Sequence, residues 1–127
     1  MRLVTIALAA GAAFAAAPAA VADDAIGKQC FRSQEIRNHK IENRNTLLVN
    51  VRGKEVYRVG MKGSCLAGAT SSDPIVMRSP PGANLICKPI DLDIAISKGG
   101  FASPCLVDSI ARLSPEEVAA LPKKLKP

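Results

Sequence analysis

The sequence has very few aromatic residues, with no tryptophan, one tyrosine and three phenylalanines among 127 residues. Beyond the first 22 residues the aromatic side chains are Phe31, Tyr57 and Phe101. Sites for single-stranded nucleic acid stack bases on aromatic rings that lie among basic residues. The shortage of rings, and the lack of a phosphate-binding glycine motif, argue against nucleic-acid binding.

Histidine is scarce as well, since His39 is the single histidine. Its neighbours include Arg37 and Lys40, whose positive charges favour the neutral imidazole. A hydrolase nucleophile needs a base beside it, and the chain contains no Gly-x-Ser-x-Gly or comparable signature. We therefore predict no catalytic residues and interpret His39 as a surface residue. A Ser-His-Asp site assembled from distant positions remains the alternative.

Closely spaced metal ligands are also missing. The sequence has no Cys-x-x-Cys, which argues against a zinc ribbon and a thioredoxin-like centre. Asp91 and Asp93 would share one face of a predicted strand, but two carboxylates are too few for a calcium site. We expect no metal and no other cofactor, and we place both aspartates on the solvent side of that strand.

The first 22 residues differ in composition from the rest, with 18 apolar residues, 11 of them alanine. Met1-Arg2 gives a positive start, and Ala20-Val21-Ala22 is a pattern that signal peptidase accepts. A retained membrane anchor is the alternative, because the apolar stretch is long enough to cross a bilayer. Pro18 and the weak hydrophobicity of alanine favour a signal peptide over residues 1–22. The remaining chain, 23–127, is then one exported domain in the periplasm or outside the cell, with no transmembrane segment.

The mature chain contains four cysteines, an even number: Cys30, Cys65, Cys87 and Cys105. An even count in a small exported chain predicts two disulfides, with free or metal-bound thiols as the alternative. Three pairings are possible from the sequence alone.

Two β-rich segments separated by Gly53-Lys54 predict a β-hairpin over residues 46–61. A two-residue loop would place Val49 opposite Arg58. A three-residue loop, residues 53–55, collects the apolar side chains of both strands on one face, and burial of one face fixes the register. We therefore predict the three-residue loop. Its pairs are Val51 with Tyr57, Val49 with Val59, and Leu47 with Met61.

Turn residues divide the rest of the chain into short segments. We predict further strands at residues 75–78, 84–87, 91–97 and 105–113. Ser114 as N-cap, Pro115 at the first helical position and Glu117 in a capping box predict a helix that Pro122 ends. About six short strands and one short C-terminal helix predict a mainly β fold, a small antiparallel barrel or sandwich held by disulfides.

Positive charge is concentrated in the first half of the mature chain. The net charge is +6, and residues 23–64 hold nine basic against five acidic side chains. A second, smaller cluster consists of Lys123, Lys124 and Lys126. The first group predicts a basic surface for an anionic envelope component, unless the charge serves solubility alone. Its candidates are Arg37, Lys40, Arg44, Arg52, Arg58 and Lys62.

The ordered features resemble a family of exported bacterial proteins, the domain of unknown function 6491. The matching pieces are Cys30-Phe31, the hairpin, Gly63-Ser64-Cys65-Leu66, Ile86-Cys87, and Cys105-Leu106-Val107 leading into residues 110–117. The likeness covers nearly the whole mature chain, and cysteine order and spacing carry most of it. It implies a small exported disulfide-bearing β domain with no assigned activity. Because shorter members keep the second and fourth cysteines, it also implies the pairs Cys65–Cys105 and Cys30–Cys87.

These observations favour a non-enzymatic envelope or periplasmic protein, a binding or structural module for an envelope protein or an anionic envelope component. A secreted enzyme inhibitor is one alternative, with residues 67–74 as the inhibitory loop. A small hydrolase is another, and it would need His39 or the two aspartates to meet a serine in a cleft.

The signal-peptide prediction is tested by the intact mass of the exported protein. We expect a chain that begins at Asp23 and carries no lipid, because the bulky Gln29 before Cys30 does not suit lipidation. A mass that retains residues 1–22, or an acyl adduct on Cys30, would contradict this expectation.

Overall fold

A computed structural model describes residues 30–70, 72–83 and 85–127, so the predicted signal peptide lies outside the described residues. Within these ranges the chain forms seven strands in two antiparallel sheets and one short α-helix. The mainly β fold is confirmed, and the two sheets fit a sandwich, without a closed barrel. The elements are β1 Ile36–Asn43, β2 Thr46–Val51, β3 Glu55–Met61, β4 Ile75–Arg78, β5 Asp93–Lys98, β6 Phe101–Cys105, β7 Val107–Arg112 and α1 Pro115–Ala120.

The first sheet has the strand order β1-β2-β3-β7, and the second has the order β4-β5-β6. Leu106 separates β6 from β7 and marks the point where the chain passes from the second sheet to the first. Its carbonyl accepts a hydrogen bond from the backbone N–H of Lys62, which fixes this corner beside the end of β3. The single strand predicted at 105–113 is therefore wrong, because its two parts belong to different sheets.

The hairpin of β2 and β3 has the predicted apolar face but a different register. Val49 pairs with Tyr57 and Leu47 with Val59, so the loop is the three residues 52–54 and not 53–55. Arg52 and Gly53 have positive φ values of 56° and 74°, as the two central residues of a type I′ turn do. The predicted pairing is wrong because a non-glycine residue adopts this backbone conformation, for which the sequence gives no signal.

Two further segments differ from the sequence-based expectation. Strand β1 was not predicted, because its polar sequence lacks the alternation of a half-buried strand. The strand predicted at 84–87 is wrong: Ile86 forms an isolated bridge with Phe31, and β4 pairs with β5 instead. Pairing in this region therefore depends on strands that are distant in sequence, and the turn between residues 78 and 84 does not decide it.

The main core lies between the two sheets. Tyr57 is fully buried on the predicted core side, and its ring packs on Phe31 with 4.6 Å between centroids. Leu92, directly before β5, and Ile94 and Ile96 on β5 enter the same cluster, as their alternation predicted. Two aromatic rings thus lie in a core that is otherwise formed mostly by aliphatic side chains.

A smaller core covers the opposite face of the first sheet. Leu48 and Val56 pack there against Leu113 and Leu121, which flank α1. The helix begins as predicted: Ser114 Oγ accepts a hydrogen bond from the Glu117 N–H, and the Glu117 carboxylate accepts one from the Ser114 N–H. The chain then forms a 3-10 turn at Lys123–Leu125, and the side-chain amide of Asn50 donates to the Pro127 carbonyl over 3.3 Å. The C-terminal segment is therefore held against this face.

The two disulfides join Cys30 to Cys87 and Cys65 to Cys105, the pairs that the family resemblance implied. Cys30 and Cys87 adjoin Phe31 and Ile86, whose backbones exchange two hydrogen bonds. Cys65 lies in the loop after β3 and Cys105 ends β6, so the second disulfide ties the first sheet to the second.

We predict that replacing both Cys65 and Cys105 with alanine lowers the melting temperature by roughly ten degrees or more. The bond closes a separation of 40 residues, which corresponds to about 4 kcal/mol in the chain-entropy treatment. Thermal unfolding followed by circular dichroism measures the change, and the Cys30→Ala/Cys87→Ala double variant, whose bond closes a separation of 57 residues, should lose a comparable amount. An unchanged melting temperature in both variants would show that the disulfides do not stabilise the fold.

Candidate functional site

A cleft of about 540 Å³ runs along the outer edge of β1. Three segments that are distant in sequence form its walls: β1, the loop after β3, and the C-terminal 3-10 turn. Its lining residues are Asn38, His39, Lys40, Ile41, Ala69, Thr70 and Lys124. His39 and Lys40, Lys124, and the loop 67–74 with Ala69 and Thr70 were each predicted to be of interest from the sequence, but as separate features and not as one site.

The two faces of β1 give the cleft two different sides. His39 and Ile41 pair with Val49 and Leu47, whose side chains enter the main core, so these two residues lie on that face. Lys40 pairs with Leu48, which belongs to the smaller core under the C-terminal segment. The cleft therefore extends around an open strand edge, with apolar atoms on one side and lysines on the other.

The backbone of β1 is exposed along this edge. The N–H of His39 donates to the side-chain oxygen of Asn38 over 2.9 Å, so it is not part of the ladder with β2. Because successive residues of a strand direct their backbone groups to opposite sides, the N–H and C=O of Ile41 point the same way as those of His39. Main-chain groups of β1 that point away from β2 thus line this part of the cleft.

The His39 side chain is half-buried at the cleft wall. Its burial lowers the pKa of the imidazole below the ordinary 6.5, and the positive charge of Lys40 lowers that pKa further. The imidazole is therefore neutral at pH 7. Among the described residues it has no hydrogen-bond partner, so no carboxylate orients it as a catalytic base.

The loop after β3 is ordered by its own hydrogen bonds. The Asp73 carboxylate accepts from the Thr70 N–H over 2.7 Å and from the Thr70 hydroxyl over 3.1 Å, and these bonds lower the pKa of Asp73. Lys98 Nζ donates to the Gly68 carbonyl over 3.1 Å. Since the Thr70 hydroxyl donates to Asp73, it is not paired with His39 as a nucleophile would be.

Positive charge is unbalanced in the cleft. Both lysines that line it, Lys40 and Lys124, lack an ion-pair partner among the described residues, and no carboxylate lines the walls. The nearest carboxylate along the strand, Glu42, accepts two hydrogen bonds from the Arg58 guanidinium. This bidentate pair engages Glu42 with Arg58, so Glu42 does not form an ion pair with either lysine of the cleft.

The six residues predicted as a basic surface are distributed over several parts of the first sheet. Arg37 and Lys40 lie on β1, whereas Arg44 and Lys62 are exposed at one end of the sheet. At the opposite end, in the β2–β3 turn, Arg52 forms ion pairs with Glu35 and Glu55 at 2.7 and 2.8 Å. Arg58 is engaged by Glu42 on β1. Of the six, Lys40 alone lines the cleft.

Asp91 and Asp93 do not share a strand face. Asp91 ends a 3-10 turn before β5, and its carboxylate accepts from the N–H groups of Cys87 and Lys88 at 3.1 and 2.8 Å. Asp93 is exposed at the start of β5. The expectation of one solvent-facing pair is therefore wrong, because Asp91 closes a turn. In the described ranges, no three His, Cys, Asp or Glu side chains are grouped as a metal site.

Comparisons with protein-family models, curated proteins and solved structures find no match to this chain. In the part of the chain that the structure describes, no helix has both the length and the apolar character needed to cross a bilayer. The interpretation of the site therefore depends on its own geometry and charge.

We predict that His39 destabilises the fold as the pH falls. Its pKa is lowered in the folded protein, so below about pH 6.5 the unfolded chain binds more protons and gains stability relative to the folded one. Between about pH 7.5 and pH 5, the His39→Gln variant should lose less melting temperature than the unmodified protein. Glu35 and Asp73, whose pKa values are also lowered, titrate below this window and are present in both proteins.

The measurement is thermal unfolding at several pH values, together with an NMR titration of the His39 ring. A ring pKa at or above the ordinary value, or identical pH profiles for the two proteins, would contradict the prediction.

Proposed function

We propose that this protein is a non-enzymatic binding module of an exported, oxidising compartment, the periplasm or the cell exterior, and that it binds an anionic ligand in the cleft beside β1. The observation that carries the proposal is the pair Lys40 and Lys124, which face an open cleft without a neutralising carboxylate. Resemblance to the domain of unknown function 6491 is part of the same proposal.

Two disulfides support the choice of compartment. They are typical of oxidising environments, since cytosolic reductants keep thiols reduced. All four cysteines take part in them, and they tie chain segments 57 and 40 residues apart. The predicted signal peptide at residues 1–22 gives a route to such a compartment.

The chemistry of the cleft supports binding and not catalysis. A nucleophile needs an adjacent base, and a base needs an orienting partner. His39 has no such partner among the described residues, and the Thr70 hydroxyl donates to Asp73. The groups that remain to contact a ligand are the two ammonium groups, the outward backbone groups of β1, and the Asn38 and His39 side chains, which can bind a ligand by charge and hydrogen bonds.

The electrostatics of the cleft define how binding depends on salt. Lys124 is exposed and Lys40 is half-buried, so water and ions screen both charges. At physiological ionic strength the screening length is about 8 Å, which leaves contact ion pairs but removes long-range attraction. A bound anionic ligand must therefore touch the lysines, and its affinity must fall as salt rises.

We predict that soluble poly-L-glutamate binds the protein and that the Lys40→Gln/Lys124→Gln variant binds it about five- to tenfold more weakly, since each exposed ion pair contributes up to about 1 kcal/mol. Isothermal titration calorimetry at low and physiological salt measures both effects. The matched control is Lys54→Gln/Lys88→Gln, which removes two exposed lysines that do not line the cleft.

Equal losses in the two variants would show that net charge alone attracts the polymer. Absence of binding at low salt would overturn the proposal, as would turnover of ester or peptide substrates that disappears in a His39→Gln variant.

A further inference from the structure

We propose that the occupant of the cleft is an extended acidic segment of a partner protein, which adds to β1 as a fifth strand of the first sheet. This inference rests on the proposed function, because it takes the cleft as the binding site. Strand addition uses main-chain hydrogen bonds for affinity and alternate side chains for specificity. The cleft offers both kinds of contact.

Among the edge strands of the described residues, β1 is the one suited to accept a strand. It is eight residues long and contains no proline. Strand β4 lies between Pro74 and Pro80, and β6 contains Pro104, and a proline has no N–H to donate to an added strand. Strand β7 packs against the 3-10 turn at Pro89–Asp91. The cleft borders β1 along residues 38–41.

The pairing potential of β1 is concentrated in a short stretch. Register irregularities occur between Ile36 and Asn38 and between Ile41 and Asn43, so the regular part is residues 38–41. Four residues at about 3.3 Å each give about 13 Å of edge. His39 and Ile41 direct backbone groups outward along it, and the His39 N–H is held by a local bond to Asn38 that an incoming carbonyl can replace.

Charge decides what kind of strand fits. A second copy of β1 paired over residues 38–41 would bring two Lys40 side chains together, and like charges directly opposite each other destabilise a sheet. An acidic strand instead pairs its carboxylates with Lys40 and Lys124. The same lysines thus disfavour self-association and select an acidic partner.

The two sides of the cleft define the alternation of the partner sequence. Side chains on one face of the added strand meet Lys40 and Lys124, and side chains on the other face meet Ile41, Ala69 and Thr70. Ala69 and Ile41 both pack against the main core, so that side favours small or β-branched residues. The expected motif alternates Glu or Asp with Val or Thr.

The probe is the peptide acetyl-Gly-Glu-Val-Glu-Val-Glu-Gly-amide, titrated into the ¹⁵N-labelled protein and followed by NMR. We expect shifts at His39 and Ile41 and slower hydrogen exchange of the Ile41 amide. The same peptide with Lys in place of Glu should bind at least tenfold more weakly.

Two further peptides test the backbone contacts. One carries N-methyl groups on the amides of its three Glu residues, and the other carries them on the amides of its two Val residues. One of these two N-methylated peptides should lose binding and the other should keep it, because only every second amide of an added strand faces β1.

A protein variant gives a second readout. Asn38→Ala removes the side-chain oxygen that holds the His39 N–H, so the probe should bind about two- to tenfold more tightly. The amide spectrum of the variant reports whether β1 keeps its pairing with β2. The Lys54→Gln variant is the control, and its affinity for the probe should stay close to that of the unmodified protein, since Lys54 does not line the cleft.

Equal affinity of both N-methylated peptides and the unmodified peptide would overturn strand addition. If poly-L-glutamate still binds through Lys40 and Lys124 in that case, the proposed binding function stands and the strand-addition mode fails. If no acidic ligand binds at low salt, both fail.

Discussion

Burial of the β2–β3 hairpin on both faces is the constraint on which the other elements depend. Val49 and Tyr57 face the second sheet, and Leu48 and Val56 face the C-terminal segment. A strand pair that is apolar on both sides cannot leave either face in water without losing roughly 25 cal/mol for each Å² exposed. The chain therefore needs a second layer on each side. The C-terminal layer is the one that brings Lys124 to the edge of β1.

The disulfides bear on the site as well as on stability. Cys65 follows β3 and begins the loop that contributes Ala69 and Thr70 to the cleft. Its bond to Cys105, together with the Lys98 contact to the loop carbonyl of Gly68, limits how far this wall can move from β1. When the walls of the cleft are already ordered, less binding free energy is lost to ordering the protein as the ligand binds. The disulfide thus helps a chain with a small core to keep the cleft preformed.

Local features were predictable from the sequence, and features set by distant contacts were not. The capping box at Ser114 and the alternation of Leu92, Ile94 and Ile96 are properties of neighbouring residues, and both agree with the structure. The apolar face of the hairpin was predicted, but its register depends on the positive φ of Arg52. Strand β1 is polar, and its place is fixed by pairing with β2. The cleft combines three segments distant in sequence, so the pattern indicated His39 and Lys40, the loop 67–74 and Lys124 separately, without their common site.

An open sheet edge is a hazard, because its unpaired N–H and C=O groups can pair with any exposed strand. The β1 edge shows three features that limit such pairing: two register irregularities, the basic side chains, and the Asn38 oxygen that holds the His39 N–H. None of the three closes the edge permanently. The irregularities leave four regular residues, the charges repel only basic or identical strands, and the Asn38 bond is a single exposed contact. The same arrangement that prevents non-specific association therefore leaves an edge that selects by charge, which is the physical basis of the proposed recognition.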